Sequence, residues 1–265
     1  MAGLDKTESV GAAMERSEYD KLDRVEDRMW WFAASHRNLL TLAPQRVPLE
    51  AGGWPILDAG CGTGGFLAQL AARYPDRALF GLDIEPLACR RAAAKSDRPV
   101  CAGSLNALPF PDRAFAVVFS VDVLCHRDVD ERGALLQFHR CLAENGWLVI
   151  NLPAYRWMLS RHDAAVHNIR RYTKRNLSRL LAAAGFRLVY TTYWNSVLFP
   201  FLVITRKLLP RSGSEASDVM LYPRPIDALC RAVTILETAI LRAGLRLPFG
   251  GSVLAIAAKR GSTCD

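Results

Sequence analysis

One glycine-rich loop constrains the fold of this chain more than any other feature. Residues 58–65 read Asp-Ala-Gly-Cys-Gly-Thr-Gly-Gly, between the apolar run Ile56-Leu57 and a helical pattern over residues 66–74. The glycine spacing is G-x-G-x-x-G, which is typical of a tight strand-to-helix turn where a ligand approaches the backbone without meeting a Cβ atom. The loop therefore predicts an α/β sheet with a ligand at the carboxyl end of a strand, and a purely structural tight turn is the alternative.

The rest of the chain alternates between strand and helix periods. Strands are predicted at residues 78–82, 100–102, 115–119, 147–152, 188–193 and 252–258, and helices at residues 86–95, 132–142, 174–184 and 226–245. The helix over 132–142 is expected to close at Asn145-Gly146. The strand over 115–119 is continuously apolar, as expected when both faces of a sheet are covered. This order predicts a mostly parallel sheet with helices on both faces.

Helical segments are also predicted outside this alternation. Residues 1–16 are expected to be disordered, and residues 19–42 form one predicted helix with the apolar triplet Trp30-Trp31-Phe32. We divide the chain into residues 1–50, a disordered start and helical cover, and residues 51–265, a main domain with a helical insertion at about 197–248. The apolar stripe of the helix over 226–245 is expected to face the core, as in a lid.

Composition narrows the class of protein. Lysine and arginine total 34 and aspartate and glutamate 26, a net charge of +8, but the basic residues are scattered, so no nucleic-acid partner is predicted. The seven cysteines include no C-x-x-C pair, which argues against a zinc site or a disulfide framework. Residues 1–20 lack the apolar core of a signal peptide, and the apolar run 197–204 is too short to cross a bilayer. We expect a cytoplasmic protein.

Two carboxylates beside the loop indicate the kind of ligand. Asp58 stands two residues before the first glycine, where it suits a ligand that carries an ammonium and a sulfonium better than one that carries a pyrophosphate. Asp83 ends the second predicted strand, about 20 residues further on, where a carboxylate can accept hydrogen bonds from ribose hydroxyls. Asp83 suits a dinucleotide equally well, so Asp58 is the residue that distinguishes a ligand with an ammonium and a sulfonium from a dinucleotide.

Further landmarks repeat the order of a known family. They are Gly81-Leu82-Asp83-Ile84, Leu108-Pro109-Phe110-Pro111-Asp112, Val123-Leu124-Cys125-His126 and Ala143-Glu144-Asn145-Gly146. With the loop, they make residues 25–200 and the last strand resemble the class I S-adenosylmethionine-dependent methyltransferases of the small-molecule, type 11-like group. The resemblance implies a Rossmann-like α/β fold with seven strands, the last of them antiparallel, and S-adenosyl-L-methionine as cofactor.

The resemblance also implies which residues bind the cofactor. The loop backbone would hold the methionine part, Asp83 the ribose, and Ile84 the adenine, with Ser104 at the adenine edge where the family usually has an acidic residue. The Trp30-Trp31-Phe32 helix would cover the cofactor. The full set of expected cofactor residues is Asp58, Gly60, Cys61, Gly62, Gly64, Asp83, Ile84, Ser104, Leu105, Ser120, Val121 and Trp31.

The resemblance also implies that the acceptor lies beyond the carboxyl ends of the fourth and fifth strands, near Val121, Asp122, His126 and residues 153–172. His126 and His167 titrate in the range of a general base, or they are structural histidines bonded to the backbone. Asp163 is a base, an orienter of His167 or a helix cap. Arg171 is an anion clamp or a surface ion-pair partner, and Tyr172 is a pocket wall or core.

The resemblance implies transfer of a methyl group from S-adenosyl-L-methionine to a small or lipid-like acceptor, and it implies no metal. Two other classes fit the loop: a nicotinamide-dependent oxidoreductase and a non-catalytic cofactor-binding module. For the late insertion, the alternative to a lid is a greasy acceptor pocket or a peripheral contact with the inner membrane face. Phe199, Phe201 and Leu202 beside Arg206 and Lys207 would suit that contact.

Overall fold

The protein is built on one seven-stranded sheet. The computed structural model describes residues 16–49, 53, 55–208 and 221–260. Its strand order is β3-β2-β1-β4-β5-β7-β6, and β7 runs antiparallel to β5 and β6 while the other neighbouring pairs are parallel. The predicted fold class is confirmed. The strands are β1 Ile56–Ala59, β2 Leu79–Asp83, β3 Val100–Ala102, β4 Phe115–Val121, β5 Leu142–Pro153, β6 Phe186–Trp194 and β7 Ser252–Lys259.

Helices cover both faces of this sheet. Because successive side chains of a strand point to opposite faces, Val118 belongs to a core layer with α5 and α7, whereas Phe119 belongs to a layer with α2, α3 and α9. The described helices are α1 Arg16–Val25, α2 Trp30–Leu42, α3 Gly65–Arg73, α4 Pro86–Ser96, α5 Glu131–Cys141, α6 Arg161–Ala165, α7 Lys174–Ala183, α8 Phe199–Val203 and α9 Arg224–Arg242. A π-helical turn, Ile204–Leu208, continues α8.

The predicted single helix over residues 19–42 is wrong, because the chain breaks between α1 and α2. Met29 is extended at the start of α2, with φ −78° and ψ 132°. Long-range contacts fix the break: the Trp30 N–H donates to Asp227 of α9 at 3.0 Å, and Glu26 accepts from Thr63 at 2.6 Å. Residues 1–15 of the expected disordered start lie outside the described residues, and Arg16 already begins α1.

The expected orientation of the late helix is also wrong. The buried residues of α9 are Thr234, Glu237, Thr238 and Leu241, whereas Leu229 and Leu236 are 63% and 64% exposed. The packing partner explains this, because α2 presents polar groups to α9. Arg37 Nη2 donates to Thr234 Oγ1 at 2.9 Å, and Thr238 Oγ1 donates to Asn38 Oδ1 at 2.7 Å. The polar side of α9 therefore faces the body of the protein.

A smaller difference concerns the end of α5. The helix ends at Cys141, and β5 begins at once with Leu142, so Asn145-Gly146 lies inside the strand rather than at the helix end. Asn145 adopts φ 62°, and the register of β5 against β4 shifts between Phe115 and Val117. Among the described residues, no helix is long and apolar enough to cross a membrane.

Candidate active site

A cavity of about 340 Å³ opens at the carboxyl ends of the parallel strands. Asp58 of β1, Asp83 of β2, Val121 of β4 and Pro153 of β5 all contribute to its wall. Helices α1 and α2 close one side, and the segment between β5 and α7 closes another. Parallel α/β sheets bind their ligands at this edge, because the loops that follow the strands converge there.

The glycine loop is shaped by close backbone approaches. The N–H groups of Gly60 and Cys61 both donate to the Leu82 carbonyl oxygen, at 2.7 and 2.9 Å, which ties the loop to β2. A Cβ atom on Gly60 would lie 2.4 Å from Val123 Cγ2, and one on Gly64 would lie 2.5 Å from Ala92 Cα. Both glycines also have positive φ, 83° and 92°. The loop therefore excludes side chains at these two positions for packing reasons as well as for ligand access.

Asp83 organises the loop from the next strand. Its Oδ2 accepts from the Gly62 N–H at 2.9 Å, and its Oδ1 accepts from the Glu85 N–H at 3.0 Å and from the Tyr19 hydroxyl at 3.1 Å. Burial raises the pKa of Asp83 above its ordinary value, while these donors oppose the rise. The hydroxyl of Tyr19 in α1 thus bonds one oxygen of the carboxylate that was predicted to bind a ribose.

Asp58 is buried beneath the loop at 1% exposure, and its Oδ2 has no hydrogen-bond partner among the described residues. Burial, and then the negative charges of Asp83 and Glu26, raise the pKa of Asp58 to about 8. A buried polar atom without a partner is costly. A cationic donor in the cavity would satisfy this oxygen and stabilise the ionised carboxylate, so the residues present fit a ligand with an ammonium group.

Helix α1 and Glu26 directly after it are fastened to the glycine loop and to α4. Glu26 accepts from Thr63 of the loop and also pairs with Lys95 of α4. In the middle of α1, Asp20 pairs with Arg91 of α4 at 2.5 Å. Trp31 of α2 also lines the cavity, and its ring lies 5.8 Å from that of Trp194. The N-terminal helices therefore form one wall of the cavity.

The other predicted cofactor residues divide into two groups. Cys61, Ile84, Ser104, Leu105 and Val121 line the cavity. Ile84 is 41% exposed there, while Ser104 Oγ accepts from the Asn106 N–H at 3.2 Å and so already has a local partner. Gly64 and Ser120 are not among the described residues of the lining, although the buried Ser120 Oγ has no partner in the described chain.

The two candidate histidines lie in neighbouring segments, which a β-bridge joins at His126 and Asn168. His126 is half-buried, burial lowers its pKa, and its ring bonds the backbone of Val166 and Asp122. His167 is half-buried with φ 57°, and its carbonyl accepts from the Arg127 N–H at 2.9 Å. Both line the cavity. The backbone bonds of His126 match the structural alternative more closely than the role of a base.

The other three candidates belong to the 153–172 segment and form structural contacts. Arg171 Nε and Nη2 donate to the two carboxylate oxygens of Asp163, each at 3.0 Å, and both residues are buried. Asp163 also closes a capping box with Ser160 at the start of α6. Arg171 lines the cavity, and its ion pair is buried rather than on the surface. The Tyr172 hydroxyl lies in the core, 2.7 Å from Glu131 Oε2.

Two cavity residues to which no catalytic role was predicted stand out. Asp122 follows β4 with φ 55°, and its Oδ1 is buried without a partner in the described chain. Its Oδ2 accepts from Asn151 Nδ2 at 3.1 Å, and Asn151 Oδ1 accepts from Trp194 Nε1 at 2.7 Å. Burial raises the pKa of Asp122 to about 7. The second residue is Asn195, whose buried amide has neither atom partnered among the described residues.

Sequence reasoning had a signal for only one of these two residues. Asp122 follows a predicted strand at the edge where the acceptor was expected, so its position was available from the strand pattern. The orientation of its side chain is set by Asn151, which bonds Oδ2, and by Trp194, which bonds Asn151. Both of these residues are distant from Asp122 in sequence. Asn195 follows the edge strand β6 and reaches the cavity only because of the order β5-β7-β6.

Comparison with known sequences gives a family for part of the chain. Residues 57–150 match a family model described as a methyltransferase domain. Malonyl-acyl-carrier-protein O-methyltransferase of Herminiimonas arsenicoxydans is 44% identical over 125 residues, 47% of this chain and 44% of that protein. Trans-aconitate 2-methyltransferase of Methylobacterium radiotolerans is 36% identical over 108 residues, 41% of each chain. The matched region is thus less than half the length of these two relatives.

Solved structures share the fold at low sequence identity. Geranyl diphosphate C-methyltransferase from Streptomyces coelicolor has a TM-score of 0.57 at 15% identity, covering 86% of this chain and 77% of that one. The cyclase SpnF has a TM-score of 0.57 at 20% identity, covering 89% of this chain and 85% of that one. The second example shows that the fold alone does not determine the reaction.

Proposed function

We propose that this chain, which carries a class I S-adenosylmethionine-dependent methyltransferase domain, binds S-adenosyl-L-methionine in the cavity and transfers its methyl group to a small or lipid-like acceptor. One observation carries the proposal most directly. A buried, unpartnered carboxyl oxygen of Asp58 and the carboxylate of Asp83 flank one glycine loop on the cavity wall. That pair matches a ligand with an ammonium at one end and a ribose at the other.

The chain's own residues would hold such a ligand as follows. Asp58 would accept from the ammonium group, and its pKa would fall as the positive charge approaches. Asp83 would accept from ribose hydroxyls, with the Tyr19 hydroxyl giving up or sharing its place. Ile84 and Leu105 would flank the base with apolar surface. When bound, S-adenosyl-L-methionine supplies an electrophilic methyl carbon on a sulfonium.

At the acceptor end we assign Asp122 the role of proton acceptor or acceptor-orienting group. Its free Oδ1 borders the cavity, while Asn151 and Trp194 hold the other oxygen in place. A carboxyl group with a pKa of about 7 is well matched to remove a proton near neutral pH. His126 and His167 line the same region and remain secondary candidates. Arg171, held by Asp163, would position the segment that carries His167.

The character of the cavity supports a small or lipid-like acceptor. Met158, Val166 and Leu202 contribute apolar surface near Asn195 and Arg206. Such a mixture suits a molecule with an apolar body and a few polar groups. The names of the relatives give malonyl-acyl-carrier protein and trans-aconitate as acceptors, so the acceptor chemistry varies among proteins that share this domain. We further propose that α1 and α2 act as the cover of the cofactor and that residues 197–248 act as a cover of the acceptor.

The test is a methyl-transfer assay with label on the methyl group. The purified protein is incubated with labelled S-adenosyl-L-methionine and a fractionated extract of small molecules and lipids, and S-adenosylhomocysteine is quantified. We expect label in one extractable fraction, with one S-adenosylhomocysteine formed per methyl group. Failure of every fraction to accept label would contradict the proposal.

The Asp122→Asn variant tests the role of the side chain at the acceptor end. We expect its turnover to fall by about a hundredfold, since general-base contributions are roughly a hundred- to ten-thousandfold, while its affinity for S-adenosylhomocysteine stays unchanged. The wild-type rate should rise with pH through about 7, because the ionised form of Asp122 is the active one. Turnover and a pH profile equal to those of the wild type would remove Asp122 from the mechanism.

A further inference from the structure

Helix α9 carries an apolar face that no described part of the chain covers. Its large outward side chains are 45–64% exposed, and exposed alanines lie between them along the helix. An isolated exposed leucine is ordinary, but a continuous strip along 19 residues is not. The large side chains are Ile226, Leu229, Ile235 and Leu236, and the alanines are Ala228, Ala232 and Ala239.

The buried polar side of α9 fixes this orientation. Asp227 accepts from the Trp30 N–H at 3.0 Å, and Glu237 accepts from the backbone N–H groups of residues 195–197. Thr234 and Thr238 bond Arg37 and Asn38 of α2. Rotating the helix to bury its apolar strip would break all of these bonds and leave buried donors unpaired. The exposure of the strip is therefore built into the packing.

The exposed charges on α9 and directly after it are all of one sign. Both acidic residues of α9, Asp227 and Glu237, point toward the body of the protein, and Asp227 also pairs with Arg231. The exposed charged residues are Arg224 at the start of the helix and Arg242 at its end, with Arg246 shortly after. An apolar helix face flanked by cations complements a surface of anionic headgroups over hydrocarbon.

We propose that α9 is an interfacial helix that docks this protein on an anionic lipid bilayer, with its apolar strip among the acyl chains and Arg224 and Arg242 against lipid phosphates. The docking does not depend on the proposed methyl transfer. Tyr222, two residues before α9, lines the cavity, as does Arg206 after α8. If the acceptor is lipid-like, a step that rests on the proposed function, docking would bring that end of the cavity to the surface that supplies it.

A second copy of this chain is a poorer occupant of the strip. A helix of 19 residues is about 28 Å long, and a strip about 10 Å wide along it offers roughly 300 Å². Stable interfaces bury about 800 Å² on each partner. A two-fold pairing of α9 with itself would also bring arginines of both copies together, with no exposed carboxylate on either helix to neutralise them. Both the area and the charge favour the bilayer.

The test is flotation of the full chain with vesicles. Wild-type protein is mixed with vesicles of phosphatidylglycerol and phosphatidylcholine in equal parts, or of phosphatidylcholine alone. The test variant is Leu229→Glu combined with Leu236→Glu. Its matched control is Leu136→Glu on α5, a leucine that is 56% exposed away from α9. A third variant, Arg224→Ala with Arg242→Ala, removes only charge. Circular dichroism and sedimentation velocity accompany each protein.

We expect the wild type and Leu136→Glu to float with the anionic vesicles and bind phosphatidylcholine vesicles less. The double glutamate variant should lose more than about tenfold in partitioning, because burial of even one leucine contributes about that factor. The double alanine variant should lose roughly fivefold per arginine, and added salt should remove that difference. Equal binding by the glutamate variant and the control would overturn the proposal. So would a wild type that ignores vesicles and forms a dimer that the glutamate variant abolishes.

Discussion

Replacing Asp83 with asparagine separates the charge of this side chain from its shape. The carboxylate has about four acceptor positions, and four groups bond it: the backbones of Gly62, Glu85 and Ile84 and the hydroxyl of Tyr19. One position therefore opens to a ribose hydroxyl when the Tyr19 hydroxyl withdraws. The asparagine amide keeps one oxygen but loses the charge, and hydrogen bonds to a charged group are about twice as strong as neutral ones.

The expected magnitude follows from this count. A hydrogen bond to a charged acceptor contributes about 1.5–3 kcal/mol, so weakening one of them by half costs about 0.8–1.5 kcal/mol. That loss corresponds to roughly a 4- to 13-fold weaker affinity for S-adenosylhomocysteine. Isothermal titration calorimetry of wild-type and Asp83→Asn protein gives the comparison, and thermal melting checks that the glycine loop remains folded.

Tyr19→Phe is the matched control, because it removes one donor to Asp83 and leaves the carboxylate intact. Since the Tyr19 hydroxyl and a ribose hydroxyl would compete for the same oxygen, we expect this variant to bind S-adenosylhomocysteine several-fold more tightly. The two variants should therefore move the affinity in opposite directions. An Asp83→Asn protein that is folded and binds as well as the wild type would refute the assignment of the ribose to Asp83.

Three further predictions concern the same site and its supports. Burial and neighbouring charges raise the pKa of Asp58 to about 8 in the free protein, and an ammonium ligand should lower it, so binding of S-adenosylhomocysteine should release a proton near pH 7. The affinity should therefore increase by up to about tenfold per pH unit as the pH is raised toward 8. Calorimetry in two buffers of different ionisation enthalpy measures the proton release, and equal heats would contradict it. Glu237→Ala should destabilise the fold by about 3–5 kcal/mol in urea unfolding, since it strips the acceptor from buried N–H groups at 195–197, whereas the exposed Leu236→Ala should change stability by less than about 0.5 kcal/mol. Gly64→Ala should cost about 2–4 kcal/mol because its Cβ meets Ala92 at φ 92°, while Gly53→Ala, with nothing within 4 Å, should be near neutral; equal midpoints would show that the loop relaxes.

The parts of the fold that follow local chemistry were predictable. The glycine loop, the parallel strands around it and the antiparallel last strand were all anticipated, the last of them by resemblance. A strand buried on both faces is visible as a continuous apolar run, as at residues 115–119. The positions of Asp58 and Asp83 at strand ends follow from the same pattern, because parallel strands deliver their carboxyl ends to one edge.

The errors occur where distant residues decide the outcome. The break between α1 and α2 depends on Asp227 and Thr63, which are far away in sequence. The orientation of α9 depends on polar groups of α2, so an apolar stripe that periodicity assigns to the core ends up exposed. A hydrophobic pattern shows that a helix has two faces, and only its neighbour determines which face is buried.

The acceptor end was the least predictable part of the site for the same reason. Asp163 and Arg171 were both candidates, yet their mutual ion pair appears only when the segment folds on itself. The unpartnered oxygen of Asp122 is a property of the space around it rather than of the sequence. Residue type and spacing can therefore identify the donor side of such a site, whereas the acceptor side requires the packed structure.

Every step proposed for this cavity requires that it bind S-adenosyl-L-methionine, and equilibrium binding is the direct test. The purified protein is titrated with S-adenosylhomocysteine and, separately, with NAD in the same buffer. We expect saturable binding of one S-adenosylhomocysteine per chain, weakened by Asp83→Asn, and no saturable binding of NAD. Tight binding of NAD with none of S-adenosylhomocysteine would contradict it and make the chain a nicotinamide-dependent protein.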